Sequence, residues 1–381
     1  MFKRRELSCT AHRVQRRPQG TIRCGLSRLF KKRARGLAAA LLCATGASAA
    51  AQDCPLSEGV SVQILGSGGP IADDARASSS YLVWVDGRAR AMVDVGGGAA
   101  LRFGEAGASF RDLDAILLTH LHVDHSADLP SLLKSGVFSR RERSLVLAGP
   151  SGGGNERVVF PSVEDFVAAL LQPDSGAYAY LGGYLDGTDG LPYLRLAMIE
   201  LDDDDDDDDD GDDDADEDDR DEERGDAEAE DEENEDDSDE EEELEIDRIP
   251  LRDSPLTLEA TGGSHGPVPA VMYAVSAGDK RVVFAGDHDG RGDHLEAFAE
   301  GADLLVLHMA IPEDAGRAAK ALHAEPTRLG EIAAGAEAGT VVLSHFMARS
   351  LRDLDANVAA VKASFDGPVI AAEDLMCINL D

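Results

Sequence analysis

Forty-six consecutive residues of this 381-residue chain, 202 to 247, hold 35 Asp and Glu against two Arg, and no core can be built from them. A segment of one charge sign with almost no apolar side chains cannot bury enough surface to offset the entropy of ordering it, so a disordered insertion is expected there. The tract carries −33 of the formal net charge of −39. The remaining −6 is uneven, because the first 35 residues are strongly basic, so the folded body is acidic even without the tract. An acidic body repels polyanions at long range, which weighs against nucleic acid as a partner. The flanking runs Leu194–Leu201 and Leu256–Ala260 look like two strands of one hairpin. On that reading the tract is a long loop between neighbouring strands, which costs little because loop-closure entropy grows only logarithmically. Its expected role is to solubilise, with weak calcium binding or a charge barrier as the alternatives.

The N-terminus has the order of a processing segment. Lys31, Lys32, Arg33 and Arg35 precede the apolar stretch Gly36–Thr45, which runs into the small residues Gly46–Ala51. Charge, short apolar run and Ala-x-Ala is the pattern of a secretory leader, so residues 1–51 are expected to be removed and the mature protein to be periplasmic or secreted. The apolar run is too short to span a bilayer, so no membrane span is expected in the mature chain. The basic region is long, which a start site placed too far upstream or a transit-type leader would also explain. Cys9, Cys24 and Cys43 fall inside the leader and leave Cys54 and Cys377 in the mature chain. An oxidising compartment would let them bridge the two ends of the domain, and two separate thiols are the alternative.

From residue 55 to 381 the pattern is that of one domain, interrupted by the acidic tract. Val60–Leu65 alternates as a strand and ends at Gly66-Ser-Gly-Gly-Pro70. Ser80–Val85 and Ala89–Val95 flank an Asp86-Gly87 hairpin signal. A short helix over 99–107, a buried strand over 113–119, a helix over 129–137 and a strand over 144–148 follow. After the tract, strands are expected at 271–276, 281–285, 302–307, 340–344 and 368–372, with a helix over 326–337. The two halves share a strand-rich, then helix–strand order, suggestive of a duplicated unit in a layered α/β architecture.

The chemistry is concentrated in His120-Leu-His122-Val-Asp124-His125, directly after the strand at 113–119. Side chains two apart in an extended segment point the same way, so His120 and His122 can grip one ion while Asp124 and His125 address a second. Four such groups in six residues would be costly to bury without a cation. Two ions need further ligands at the ends of later strands. His265 in Gly262-Gly-Ser-His265, Asp287 in Ala285-Gly-Asp287 and His345 in Leu343-Ser-His345 stand in such places. The glycine before Asp287 lets that carboxylate approach closely enough to be shared by both ions.

This order of motifs resembles the metallo-β-lactamase superfamily, and within it the ribonuclease Z or phosphodiesterase-like branch, over Val60 to Leu375 apart from the insertion. The resemblance implies an α/β fold, a four-layer αβ/βα sandwich with the metals at one edge of two sheets. It implies two divalent metal ions, zinc first and Mn²⁺ or Fe²⁺ as alternatives. His120, His122 and His265 would hold one, Asp124, His125 and His345 the other, with Asp287 as the bridge. Asp94 and His308 would support the ligands by hydrogen bonds, and His323 would protonate the leaving oxygen. Met309 stands where the branch's His-Glu-Ala-Thr element has a glutamate, which removes a carboxylate that would orient the acid. No Gly/Pro-rich arm of the kind that clasps transfer RNA is visible between Gly149 and Leu201.

The expected activity is hydrolysis of a small-molecule ester, foremost a phosphodiester, by water activated between the metals, with Asp124 orienting it and His323 as the acid. A lactonase, arylsulfatase or other ester hydrolase would use the same centre. A ribonuclease, or a non-enzymatic cation-binding or interaction protein working through the acidic tract, are the other readings. The oligomeric state stays open, a homodimer included.

Overall fold

The central strands of this chain are buried on both faces, and the fold explains why. The computed structural model describes residues 58–154, 158–201 and 244–380. The leader, Cys54 and residues 202–243 lie outside the described residues. In chain order the strands are β1 Val60–Gly66, β2 Ser80–Val85, β3 Arg88–Val93, β4 Ala115–Leu117, β5 Leu145–Pro150, the short pair β6 Gly153–Gly154 and β7 Val159–Phe160, and β8 Leu194–Ile199. After the tract come β9 Asp247–Ile249, β10 Leu256–Gly263, β11 Ala270–Ala277, β12 Lys280–Phe284, β13 Leu304–His308, β14 Val341–Ser344, β15 Val369–Ala371 and β16 Cys377–Leu380. The helices are α1 Ala99–Glu105, α2 Val123–Ser126, α3 Leu129–Gly136, α4 Val163–Leu171, α5 Gly183–Asp186, α6 His294–Phe298, α7 Arg317–Lys320, α8 Pro326–Gly335, α9 Ala348–Leu351 and α10 Leu354–Ser364.

Two seven-stranded sheets result, in the orders β16-β1-β2-β3-β4-β5-β8 and β15-β14-β13-β12-β11-β10-β9. The period-2 alternation of a strand divides its residues between two cores. On β2, Tyr81, Val83 and Val85 join the core between the sheets, where the Tyr81 and Phe284 ring centroids lie 5.5 Å apart. Leu82 and Trp84 face the other way, into a core completed by residues of α1, α3 and α4. Leu295 and Phe298 of α6, Leu329 and Ile332 of α8 and Val361 of α10 extend the core on the second sheet. Helices, sheet, sheet, helices is the expected four-layer sandwich.

The duplicated order is visible in the pairing. In each sheet three antiparallel contacts are followed by three parallel ones: β3-β4-β5-β8 in the first and β12-β13-β14-β15 in the second. Three details differ from expectation. Leu194–Ile199 and Leu256–Gly263 are not a hairpin, because β8 is the edge of the first sheet while β10 pairs with β9 and β11 in the second. Both runs are apolar, and each satisfies its backbone in its own sheet, so the described ends of the insertion, Leu201 after β8 and Leu244 before β9, lie beside strands of different sheets. The tract is also shorter than its composition suggests: Leu244 packs on the core and Asp247 opens β9. Residues 158–193 form β7, α4, α5 and a one-turn helix at Ala179–Leu181, with Val163, Val167, Leu171, Leu181 and Tyr184 buried. The last strand, β16, was not expected; it pairs with β1, and its Cys377 is disulfide-bonded. Among the described residues no helix is long and apolar enough to cross a membrane.

Candidate metal centre

Parallel strands end together, and their ends place this site. Asp94 follows β3, Thr119 and His120 follow β4, Asp287 follows β12, His308 closes β13 and His345 follows β14. His265 follows β10, so both sheets contribute from their common edge.

Asp94 organises the first loop. It is fully buried at φ 56 and accepts hydrogen bonds from the Thr119 amide at 2.8 Å, the Thr119 hydroxyl at 3.0 Å and His125 Nδ1 at 2.7 Å. The bond from Nδ1 sets the His125 tautomer and turns Nε2 inward, where it is buried with no hydrogen-bond partner. Burial lowers the proton affinity of His125, but Asp94, Asp287 and Asp124 outweigh it and raise the pKa to about 9. His265 is oriented in the same way by donating from Nδ1 to the Leu322 carbonyl at 2.8 Å. Its loop is tied by Ser264, whose hydroxyl donates to the buried Asp289 at 2.9 Å.

Asp287 lies between two groups of donors. Its Oδ2 is 3.6 Å from His265 Nε2 and 3.9 Å from His120 Nε2; its Oδ1 is 3.3 Å from His345 Nε2 and 3.7 Å from His125 Nε2. His120 Nε2 and His122 Nδ1 are 3.0 Å apart, and His345 Nε2 is 3.1 Å from Asp124 Oδ2. Burial opposes charge on Asp287, yet His345, His125 and His308 hold its pKa well below the carboxylate range. The same contest, won by the hydrogen bond from His345 and the charges of His125 and His345, lowers Asp124 to about 2. Burial keeps His120 well below its usual value, hence neutral and able to offer a lone pair.

These spacings fit metal. Zinc–nitrogen bonds of roughly 2.0–2.1 Å in a tetrahedron separate the donor atoms by roughly 3.3 Å, within the 3.0 to 3.9 Å found here. Among the described residues, three sets have donor atoms close enough to share an ion: His120, His122 and His265; His125, Asp287, His308 and His345; and His265, Asp287 and His323. Six of the seven expected ligands fall in these sets; Asp124 is in none of them and meets the site through its Oδ2, 3.1 Å from His345 Nε2 and 3.6 Å from His125 Nε2. His308 also falls in a donor set, but its Nδ1 donates to Asp287 Oδ1 at 2.7 Å and its Nε2 accepts from the Tyr81 hydroxyl at 2.9 Å. With both nitrogens engaged, it holds Asp287 in place. His323 Nδ1 is buried without a partner 3.9 Å from Asp287 Oδ2, and burial pulls its pKa down to about 3. Met309 is fully buried.

Sequence reasoning missed three contributors. Tyr81 is in sequence one residue of the strand at 80–85, and only the opposing sheet shows that its hydroxyl meets His308. Thr119 links Asp94 to the metal loop. Gly69, in the expected turn, lies against His345: a Cβ there would be 2.9 Å from the ring. Gly286 does allow the close approach expected before Asp287, since it has φ 67 and a Cβ would sit 2.9 Å from that of Thr119.

Comparison with known proteins agrees with this geometry. The family model of the metallo-beta-lactamase superfamily matches residues 73–329. A Ribonuclease Z of Haloarcula marismortui is 27% identical over 317 residues, covering 83% of this chain and 95% of that protein. A Ribonuclease Z of Mycobacterium sp. (strain KMS) is 49% identical over 74 residues, 19% of this chain, and the match spans only 26% of that relative's length. Among solved structures, the metallo-beta-lactamase fold protein YhfI from Bacillus subtilis has a TM-score of 0.56 and human tRNase Z, short form, one of 0.55. Each is 20% identical, with 84% of this chain and 99% of the other covered, which shows a common fold.

Proposed function

This chain belongs to the metallo-beta-lactamase superfamily, and from that premise we propose that it is a dinuclear metal hydrolase acting on a phosphodiester or related ester. The observation that carries the proposal is Asp287, a buried carboxylate with one oxygen toward His120 and His265 and the other toward His125 and His345. A buried carboxylate placed between two donor sets would serve a pair of cations held by them. When bound, such cations, zinc first and Mn²⁺ or Fe²⁺ as alternatives, would supply Lewis acidity and a positive field that favours hydroxide at neutral pH.

The chain's own groups do the rest. Asp124 stays anionic at neutral pH and accepts a hydrogen bond from the attacking water, which orients it. Asp94, through His125 and Thr119, and Tyr81, through His308, keep the donor atoms aimed inward. His323 transfers a proton from Nδ1 to the leaving oxygen. Because burial holds its pKa near 3, the ring takes up that proton only when an anionic substrate lies beside it.

Metal analysis of the purified protein, paired with chromogenic phosphodiester, sulfate, lactone and β-lactam substrates, tests the proposal. About two metal ions per chain and chelator-sensitive turnover are expected; a metal-free, inactive protein would refute it. Preference within the panel separates the phosphodiesterase from the lactonase and arylsulfatase alternatives. Ribonuclease activity is a second reading, favoured by the relatives named Ribonuclease Z. It requires RNA cleavage that survives the acidic body and falls steeply with salt. The leader reading makes the enzyme exported, which cell fractionation tests.

A further inference from the structure

An apolar crevice of about 90 Å³ opens beside the metal centre, with His122 forming part of its wall. Phe160 of β7, Phe166 of α4 and Pro150 at the end of β5 line it from the first half of the chain; Val268 and Pro269, just after His265, line it from the second. We propose that this crevice is a subsite for one apolar substituent of the substrate, an aryl ring or short alkyl chain, on the ester that the metal centre cleaves. The proposal rests on the hydrolase reading and narrows its substrate class.

Three observations support it. The first is continuity: the half-buried His122 offers Nδ1 toward His120 and also faces the crevice, so a group seated there lies next to the reacting centre. The second is chemistry. His122 is the one titratable lining residue, and no Lys or Arg is among them. A nucleic-acid strand would gain no charge neutralisation here, whereas an apolar group gains by leaving water.

The third is construction. The volume suits one substituent and not a whole ligand, and five of its eight lining residues are prolines or phenylalanines, with little rotamer freedom to lose. Their positions are pinned by glycines. A Cβ on Gly153 of β6 would lie 2.8 Å from Pro269 Cγ, and one on Gly149 would lie 2.9 Å from Val163 Cβ at the start of α4. The β6–β7 pair thus closes on Pro269, joining the two halves over the crevice.

The test uses p-nitrophenyl phosphodiesters that share one leaving group and differ in the ester that stays: methyl, phenyl or 2-naphthyl. With the zinc-loaded protein, phenyl should exceed methyl in kcat/KM by about tenfold or more, the discrimination a fitted apolar pocket gives per small group. Phe160→Ser, at the half-buried end of β7, should collapse that ratio, and Phe166→Leu should shift it between phenyl and naphthyl. Calorimetry supplies a readout independent of turnover: phenylphosphonate should bind the zinc protein more tightly than methylphosphonate, and Phe160→Ser should remove the difference. Equal kcat/KM across the series, or a ratio unmoved in Phe160→Ser, overturns the subsite alone. No turnover of any diester by a protein carrying two zinc ions overturns the subsite and the phosphodiesterase reading together.

Discussion

Removing the metals should expose an inverted pH dependence of stability that originates in one pair, Asp94 and His125. In the folded protein His125 titrates at about 9, against 6.5 ordinarily, because it donates to Asp94 at 2.7 Å and faces Asp287 and Asp124. Between those values the unfolded chain has lost the proton and the folded chain keeps it. Unfolding then releases a proton, so stability falls as pH rises through the window. The difference corresponds to about 3 kcal/mol. Other perturbed groups act elsewhere. The buried His120, His288, His308 and His323 and the half-buried His122 have lowered values and change stability below 6.5, and Tyr81 and Tyr184 are raised above 10. The assay is urea unfolding of chelator-treated protein, followed by circular dichroism, at steps from pH 6.5 to 9. A decline of about 3 kcal/mol is expected, and Asp94→Asn should flatten most of it. Stability that is level or rises across the window would refute the assigned role of Asp94. The same proton must leave before a cation takes His125 Nε2, so zinc affinity should strengthen with pH over the same range.

Four further outcomes follow from the geometry. His265→Ala removes one imidazole from the set with His120 and His122, and should lower zinc affinity by more than the roughly 10–100-fold typical of a supporting hydrogen-bond partner; metal content after dialysis reads this. Tyr81→Phe leaves His308 Nε2 buried without its donor, a cost of about 1–3 kcal/mol, visible as a lowered Tm and a fall in kcat with KM little changed. Gly69→Ala puts a Cβ 2.9 Å from the His345 ring, and should destabilise the protein by about 1–3 kcal/mol and weaken zinc binding; an unchanged Tm and zinc affinity would contradict that contact. Replacing residues 203–242 with a short linker should leave metal content and hydrolysis intact. Both ends of the tract return to one place, Leu201 against Gly262 and the Glu245 carbonyl accepting from Thr261 at 2.7 Å. Loss of metal or activity would instead make the tract part of the working protein.

How much was legible in the sequence follows from the range of the interactions. The candidate metal-binding groups could be picked out because each combines two local signals: an apolar run that must be a buried strand, and an imidazole or carboxylate at or just beyond its end. His120, His122, Asp124, His125, Asp287 and His345 all carry both. Partner choice is non-local, and there the local signals ended. Leu194–Ile199 and Leu256–Gly263 are equally apolar, and nothing within either run says that they belong to different sheets. Cys377–Leu380 becomes a strand because β1 offers it an edge. Tyr81 meets His308, Gly69 meets His345 and Phe160 shares a crevice with Pro269 only after the two halves pack. The sequence by itself thus determined which groups reach the sheet edge, because strand and turn formation depend on neighbours in the chain. The tertiary structure alone decided how those groups are aimed and what surrounds them, because orientation is set by hydrogen bonds and van der Waals contacts from residues distant in the chain.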